Sequence, residues 1–178
     1  MLFIIHFFYN GQYRMFTIMR DPVERAVSLF HYLAIAHWQP NYDSSLKTMS
    51  IEMWAQSEDR IEYNWVTRFL SNNWKANLTQ HDLSVAKEIL NKKCLIGFLE
   101  AKEESMMRFQ KYFGWDMSDS QTRDCAERFL QWGWSNKNSH PPIELDSYTY
   151  KLLVKSNEYD LELYEYAKLL FEAQAELF

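Results

Sequence analysis

The sequence predicts a helix-rich α/β domain with a small parallel sheet, and three observations carry that reading. Two short β-prone runs, residues 16–19 and 93–98, each lie between polar punctuation and segments with helical apolar spacing. Only 4 Gly and 4 Pro occur in 178 residues, which argues against a loop-rich sandwich and for long helices. Hydrophobic residues make up 47% of the chain and aromatics 17%, enough for a sizeable core in one domain or a domain with a helical extension.

The elements follow in order. The opening MLFIIHFF is apolar but eight residues long, with no basic region before it and no small-residue cleavage site after it. The segment is therefore not expected to be a signal peptide or a membrane span, and it reads as a buried edge or central strand. After the 16–19 run, Asp21 stands where an N-cap belongs, Pro22 at the first helical position and Glu24 three residues beyond the cap. Residues 41–48 read as a loop. Residues 51–70 read as helix, with Ser57-Glu58-Asp59 a candidate break, and a third helix covers about 83–91 with Thr79 or Asp82 as its cap. Beyond the 93–98 strand, a helix over 103–113 stops at Gly114, 116–124 is polar and loop-like, and 136–142 carries turn chemistry. From Glu144 onward two helices are expected to meet near Asn157, with Asp160 capping the last.

Net charge is −5, so the whole chain is no electrostatic partner for nucleic acid, although a local basic pocket for a mononucleotide needs only a few cations. Cys94 and Cys125 have no zinc-ligand spacing. Cys94, in an apolar run, reads as a buried thiol, and a disulfide between the two is left open.

The chemistry concentrates in FTIMRDPVERAVSLFHYL, residues 16–33. Arg20 ends a strand beside a helix N-terminus that favours an anion, and Ser28 lies one turn after Glu24 on that helix. A guanidinium fork and a hydroxyl on two rigid elements form a candidate phosphate or sulfate clamp. The competing reading is a salt-bridged strand end with an ordinary polar helix position.

Arg20-Asp21-Pro22-x-x-Arg25-x-x-Ser28 resembles the 3′-phosphate-binding motif of sulfotransferases that use 3′-phosphoadenosine 5′-phosphosulfate (PAPS), in particular the carbohydrate, Golgi-type branch and its algal and bacterial relatives. Further along, Asn64-x-x-Thr67-Arg68-Phe69-Leu70, Ile96-Gly97-Phe98-Leu99-Glu100 with Glu104-Ser105 and Phe113-Gly114-Trp115, Asn138-Ser139-His140-Pro141, and Asn157-x-x-Asp160-x-x-Leu163-Tyr164 are similar to later segments of that family in order and spacing. The resemblance spans about 16–178. It implies a P-loop-like sulfotransferase fold and transfer of a sulfuryl group from PAPS, as co-substrate, to a hydroxyl, on a carbohydrate acceptor. Arg20 and Ser28 would bind the 3′-phosphate, with Lys137 and Asn138 as loop contacts, and no metal is implied. A family member would work in the Golgi lumen if eukaryotic and in the cytoplasm if bacterial, and an oligomer is compatible with either.

The chain departs from the family at the front. Such enzymes open with a strand, a Gly-rich loop carrying a lysine, and a helix, whose amides cradle the 5′-phosphosulfate. No such loop occurs in the fifteen residues before Phe16, so the strand-loop-helix is expected to be missing, through truncation or divergence with loss of catalysis. The alternative function is a non-catalytic helical remnant that serves as an interaction subunit. A kinase-like reading lacks both a Walker-type loop and Asp ligands for magnesium. No catalytic base is assigned. His6 reads as a half-buried strand residue, His31 and His37 as structural or surface groups, and His140 as loop-fixing. Glu100 reads as a helix cap in preference to a catalytic carboxylate. Trp132 and Trp134 read as packing in preference to an adenine stack.

Overall fold

A computed structural model describes residues 3–9, 12–57, 62–75, 77–132 and 140–178, with the backbone alone for 3–9, 12–14 and 129–132. Strand β1 (Phe3–Tyr9) pairs antiparallel with β2 (Gln12–Met19), and β2 pairs parallel with β3 (Cys94–Phe98), giving the order β1-β2-β3. The register runs from Phe3 opposite Ile18 to Tyr9 opposite Gln12, and from Met15 beside Cys94 to Met19 beside Phe98. The sheet is therefore mixed. The parallel pair is present, but the N-terminal strand adds to it as one arm of a hairpin, and β2 starts well before Phe16.

Helices make up the rest: α1 (Pro22–Ile35), α2 (Ile51–Gln56), α3 (Trp65–Ser71), α4 (Gln80–Lys93), α5 (Lys102–Phe113), α6 (Ser120–Trp132), α7 (Tyr148–Ser156) and α8 (Glu158–Ala173). Thr79 caps α4 through a reciprocal box with Asp82, and Gly114 ends α5 in the left-handed region at φ 64°. Two expectations fail. The polar stretch 116–124 is not all loop, because Asp119 accepts hydrogen bonds from the amide and hydroxyl of Thr122 and α6 begins at Ser120. The polar residues here include an acidic cap with a helix behind it, which in sequence has the same polarity as a loop. Asp160 caps a helix, but not its own.

Alternate strand residues face opposite layers, as the pleat requires. Phe16, Ile18 and Leu95 pack on Phe109 and Phe113 of α5. Met19, Ile96 and Phe98 pack on α3, α4 and α8 through Leu70, Leu83, Leu90, Leu163 and Phe171. A second core gathers Val23, Val27, Phe30 and Leu33 of α1 around the fully buried Trp54, with Leu153 of α7. The outer edge of β3 is closed by side chains. Ile96 N–H donates to Gln174 Oε1 (2.9 Å), Gln174 Nε2 donates to Cys94 O (2.9 Å), and Phe98 N–H donates to Ser105 Oγ (2.9 Å). These bonds satisfy groups that would otherwise template another strand. Cys94 and Cys125 are both free, and burial pushes the Cys94 thiol up to about 12.

The central junction is a reciprocal exchange of caps between α3 and α8. Asp160, in the first turn of α8, accepts from Val66 N (3.1 Å), Thr67 N (2.8 Å) and Thr67 Oγ1 (2.8 Å) at the start of α3. Asn64, before α3 in the left-handed region at φ 52°, accepts from Asp160 N (3.0 Å) at the start of α8 and donates to Ser156 O (3.0 Å). Asn157 Oδ1 accepts from Asn64 N (3.2 Å) while its Nδ2 donates to Leu153 O (2.9 Å). Arg25 of α1 closes the group, 3.7 Å from Asp160 Oδ2 and donating to Glu62 O (2.9 Å).

Asp160→Ala is expected to destabilise the domain by about 3–5 kcal/mol in urea denaturation, because it uncaps α3 and leaves a buried guanidinium without its counter-charge. A cost under 1 kcal/mol would show that the junction carries little of the fold. Gly97→Ala should cost about 1–3 kcal/mol. Its Cβ would lie 2.5 Å from Phe109 Cζ and 2.9 Å from Ser105 Cβ, where α5 presses on β3.

Candidate functional site

The last ladder bond of the parallel pair is Leu99 N–H to Met19 O (2.8 Å), so the residues just past it, Arg20 and Glu100, leave the sheet at the same carboxyl-end edge. Ligands of open α/β sheets bind outside that edge. Asp21 caps α1 as the sequence predicts: its Oδ1 accepts from Val23 N and Glu24 N, both at 2.9 Å. The consequence for anion binding is unfavourable. Pro22 has no N–H and the next two amides are taken by Asp21, so the helix offers an oxyanion its field rather than open amide donors.

Any oxyanion at this edge would therefore depend on side-chain donors. Arg20 is partly exposed, at 28%, and its guanidinium donates to Glu24 Oε2 at 3.0 Å across the first turn. Glu24 does not reach back to complete a capping box. It is 49% exposed and acts as an internal counter-ion for Arg20. Ser28, half-buried, lies one further turn along α1, so Arg20, Glu24 and Ser28 follow at four-residue steps.

Behind Arg20 sits a small cavity with about 10 Å³ of room, enough for one water-sized group. Ile18, Met19, Arg20, Pro22, Arg25, Val66 and Asp160 line it. Arg25 has an 11% exposed side chain, and its Nε–H is buried with no partner among the described residues. Burial lowers the pKa of this guanidinium, while Asp160 and Glu62 oppose the shift. The sequence reading had singled out Arg25 as part of the motif and given it no role. The spacing was visible, but its burial against Asp160, 135 residues later, was not.

Glu100 is not a cap. The position before α5 is Ala101, which makes no side-chain cap bond, and the Glu100 carboxylate instead accepts a hydrogen bond from the Tyr164 hydroxyl. Burial, and then Glu100, push the Tyr164 phenol upward, so it stays a donor. His140 stacks on His31, one turn beyond Ser28, with ring centroids 5.2 Å apart and planes within 2°. Its Nδ1 lies 3.2 Å from Pro141 O. His37 is exposed, edge-on to Trp38. Lys137, Asn138 and Trp134 lie outside the described residues, as do the side chains of His6 and Trp132. Among the described residues no cluster of His, Cys, Asp and Glu could hold a metal, and no helix is long and apolar enough to cross a membrane.

No protein-family model, curated protein or solved structure matches this chain.

Two outcomes follow from this geometry. Glu24→Gln removes the competitor for Arg20, so oxyanion affinity measured by calorimetry should rise several-fold at low salt, and an unchanged or weaker affinity would count against Arg20 as the binding group. His31 is held below its usual value of 6.5, first by burial and then by the charge on His140. The unfolded chain therefore takes up the proton first as pH falls, so this contribution to stability is present above the usual value and lost on acidification through it. The urea midpoint should drop between about pH 7.5 and 5.5, and His31→Gln should flatten that drop; an equal drop in the variant would place the titrating group elsewhere.

Proposed function

We propose that this chain binds a 3′-phosphorylated adenine nucleotide through Arg20 and Ser28, as a PAPS-dependent sulfotransferase-like domain whose acceptor is a carbohydrate hydroxyl. The observation that carries the reading is the position of Arg20. It leaves the carboxyl end of a parallel strand, is partly open to solvent, and stands over the first turn of a helix that bears Ser28 two turns on. A phosphomonoester suits a bidentate guanidinium and a hydroxyl. His140 docks on the same helix, at His31, and Lys137 and Asn138 precede it closely in sequence as loop contacts in this reading.

Arg20 and Ser28 supply the donor types that the 3′-phosphate end of the nucleotide takes. When bound, PAPS would supply the activated sulfuryl group. In this chain Arg20 would hold and orient the 3′-phosphate while Glu24 yields its place to it. The 178-residue sequence holds no Gly-rich, lysine-bearing loop before β2, so no donor for the leaving group is assigned here. The parent fold in this proposal is the P-loop-like sulfotransferase fold. The helix-rich α/β architecture with a parallel β2–β3 pair is compatible with it.

A second reading, a non-catalytic interaction subunit, draws on the exposed side chains of Trp38, Met53, Leu145 and Tyr148. Exposed large apolar groups are a feature of partner surfaces when they are contiguous.

Calorimetry with adenosine 3′,5′-bisphosphate and the two adenosine monophosphates separates these readings. The 3′-monophosphate should bind more tightly than the 5′-monophosphate, and Arg20→Lys should weaken binding about tenfold because an ammonium cannot reproduce the fork. Equal or reversed preference, or no binding, would overturn the assignment of Arg20 and Ser28.

A further inference from the structure

The cavity behind Arg20 contains a feature that the capping junction does not use. Arg25 spends one terminal nitrogen on Glu62 O and faces Asp160 across 3.7 Å, yet its Nε–H remains buried without a partner among the described residues. A donor so placed calls for an acceptor. The cavity that Arg25 helps to line takes one water-sized group, and the other cation lining it is Arg20. Asp160 also lines it, but both of its oxygens are occupied. Oδ1 accepts from Thr67 N and Oγ1, and Oδ2 accepts from Val66 N while facing Arg25. Two guanidiniums against one fully engaged carboxylate leave the lining net positive.

We propose that this cavity is a socket for a single oxygen of an oxyanion, a phosphomonoester or sulfate gripped from outside by Arg20 and reached from inside by Arg25 Nε–H. The proposal rests on the reading of Arg20 as the phosphate-binding residue and adds a second guanidinium, from the helix interior, to that site. It assigns Arg25 two roles on different nitrogens. Nη2 holds Glu62 O, just ahead of α3, and faces Asp160, and Nε meets the ligand. A tetrahedral oxyanion can satisfy both guanidiniums at once because its oxygens point in different directions. A planar carboxylate held by Arg20 has no third oxygen for the socket, so the site should prefer phosphate and sulfate over acetate.

The test is a titration of the full chain with adenosine 3′,5′-bisphosphate, and separately with inorganic phosphate and acetate, followed through the arginine Nε–Hε resonances in ¹⁵N-resolved NMR. Arg25→Lys and Arg20→Lys variants supply the assignments and a calorimetric affinity. The expected result is that the Arg25 Nε–Hε signal moves with the same saturation curve as that of Arg20 for the bisphosphate. A parallel movement with inorganic phosphate, and none with acetate, would assign the socket to the tetrahedral oxyanion and not to the nucleoside. Arg25→Lys should lower bisphosphate affinity about tenfold at a temperature where the variant is still folded. Saturable binding that moves Arg20 and leaves Arg25 unmoved would overturn the socket while the Arg20 reading stands. Absence of binding to the intact chain would overturn both. If Arg25→Lys lowers thermal stability and leaves affinity unchanged, Arg25 is structural only and the socket is refuted.

Discussion

The reciprocal capping of α3 and α8 is the constraint on which the rest of the architecture depends. Each helix begins with amide groups that must find acceptors, and each finds them on the other: Asp160 for α3, Asn64 for α8. Such an arrangement cannot be half-formed. Asn64 must adopt the left-handed conformation to present its side chain, at a conformational cost that asparagine tolerates better than most residues. Asp160 must be buried, 1% exposed, as a charge. Desolvating that carboxylate is offset by two amides, a hydroxyl and a guanidinium acting together. Because that guanidinium belongs to α1, the junction also fixes the helix that follows Arg20.

The sheet is held to this junction from both faces. Met19, Ile96 and Phe98 place β2 and β3 on α3, α4 and α8, while Phe16 and Ile18 face α5. Gly97 lets α5 approach closely enough for Ser105 to meet the amide of Phe98. Gln174, just past α8, then closes the β3 edge. The carboxyl end of the parallel pair is thereby a rigid rim, and Arg20 and Glu100 emerge from it with little freedom in their backbone positions.

How much of this was legible depended on the range of the interaction. The start of α1 is legible because Asp21 and Pro22 act within one turn, and the start of α4 and the end of α5 are legible for the same reason at Thr79 and Gly114. The apolar run of β1 does not by itself reveal its antiparallel partner; the sequence signal for that pairing is the dipeptide Asn10-Gly11. The junction was only half visible. Asn64, Asn157 and Asp160 stood out in the sequence, but nothing local says that Asp160 serves a helix 93 residues earlier rather than its own. Glu100 was assigned to a cap on the same local logic, and lost that role because Tyr164 is nearer to it in space. Arg20 and Ser28 were chosen from spacing alone. Arg20 lies before α1 and Ser28 within it, and Glu24 between them, which reads as part of a cap, is the residue that holds Arg20.

The engagement of α1's first amides by Asp21 shapes what the rim can do with a ligand. A site built on open helix amides holds an anion by preset backbone donors and is insensitive to neighbouring side chains. In the proposed site the donors are guanidiniums, one paired with Glu24 and one locked into the capping junction. Affinity at such a site is a difference between two charge-assisted pairings, so it depends on salt and on the competitor carboxylate as much as on the ligand. The locked guanidinium gives the opposite character, since its position is fixed by packing before any ligand arrives and no ordering of a long side chain is required on binding. In the proposed site, an outer arginine with a local competitor and an inner one fixed by packing would capture an oxyanion loosely and then fix its orientation.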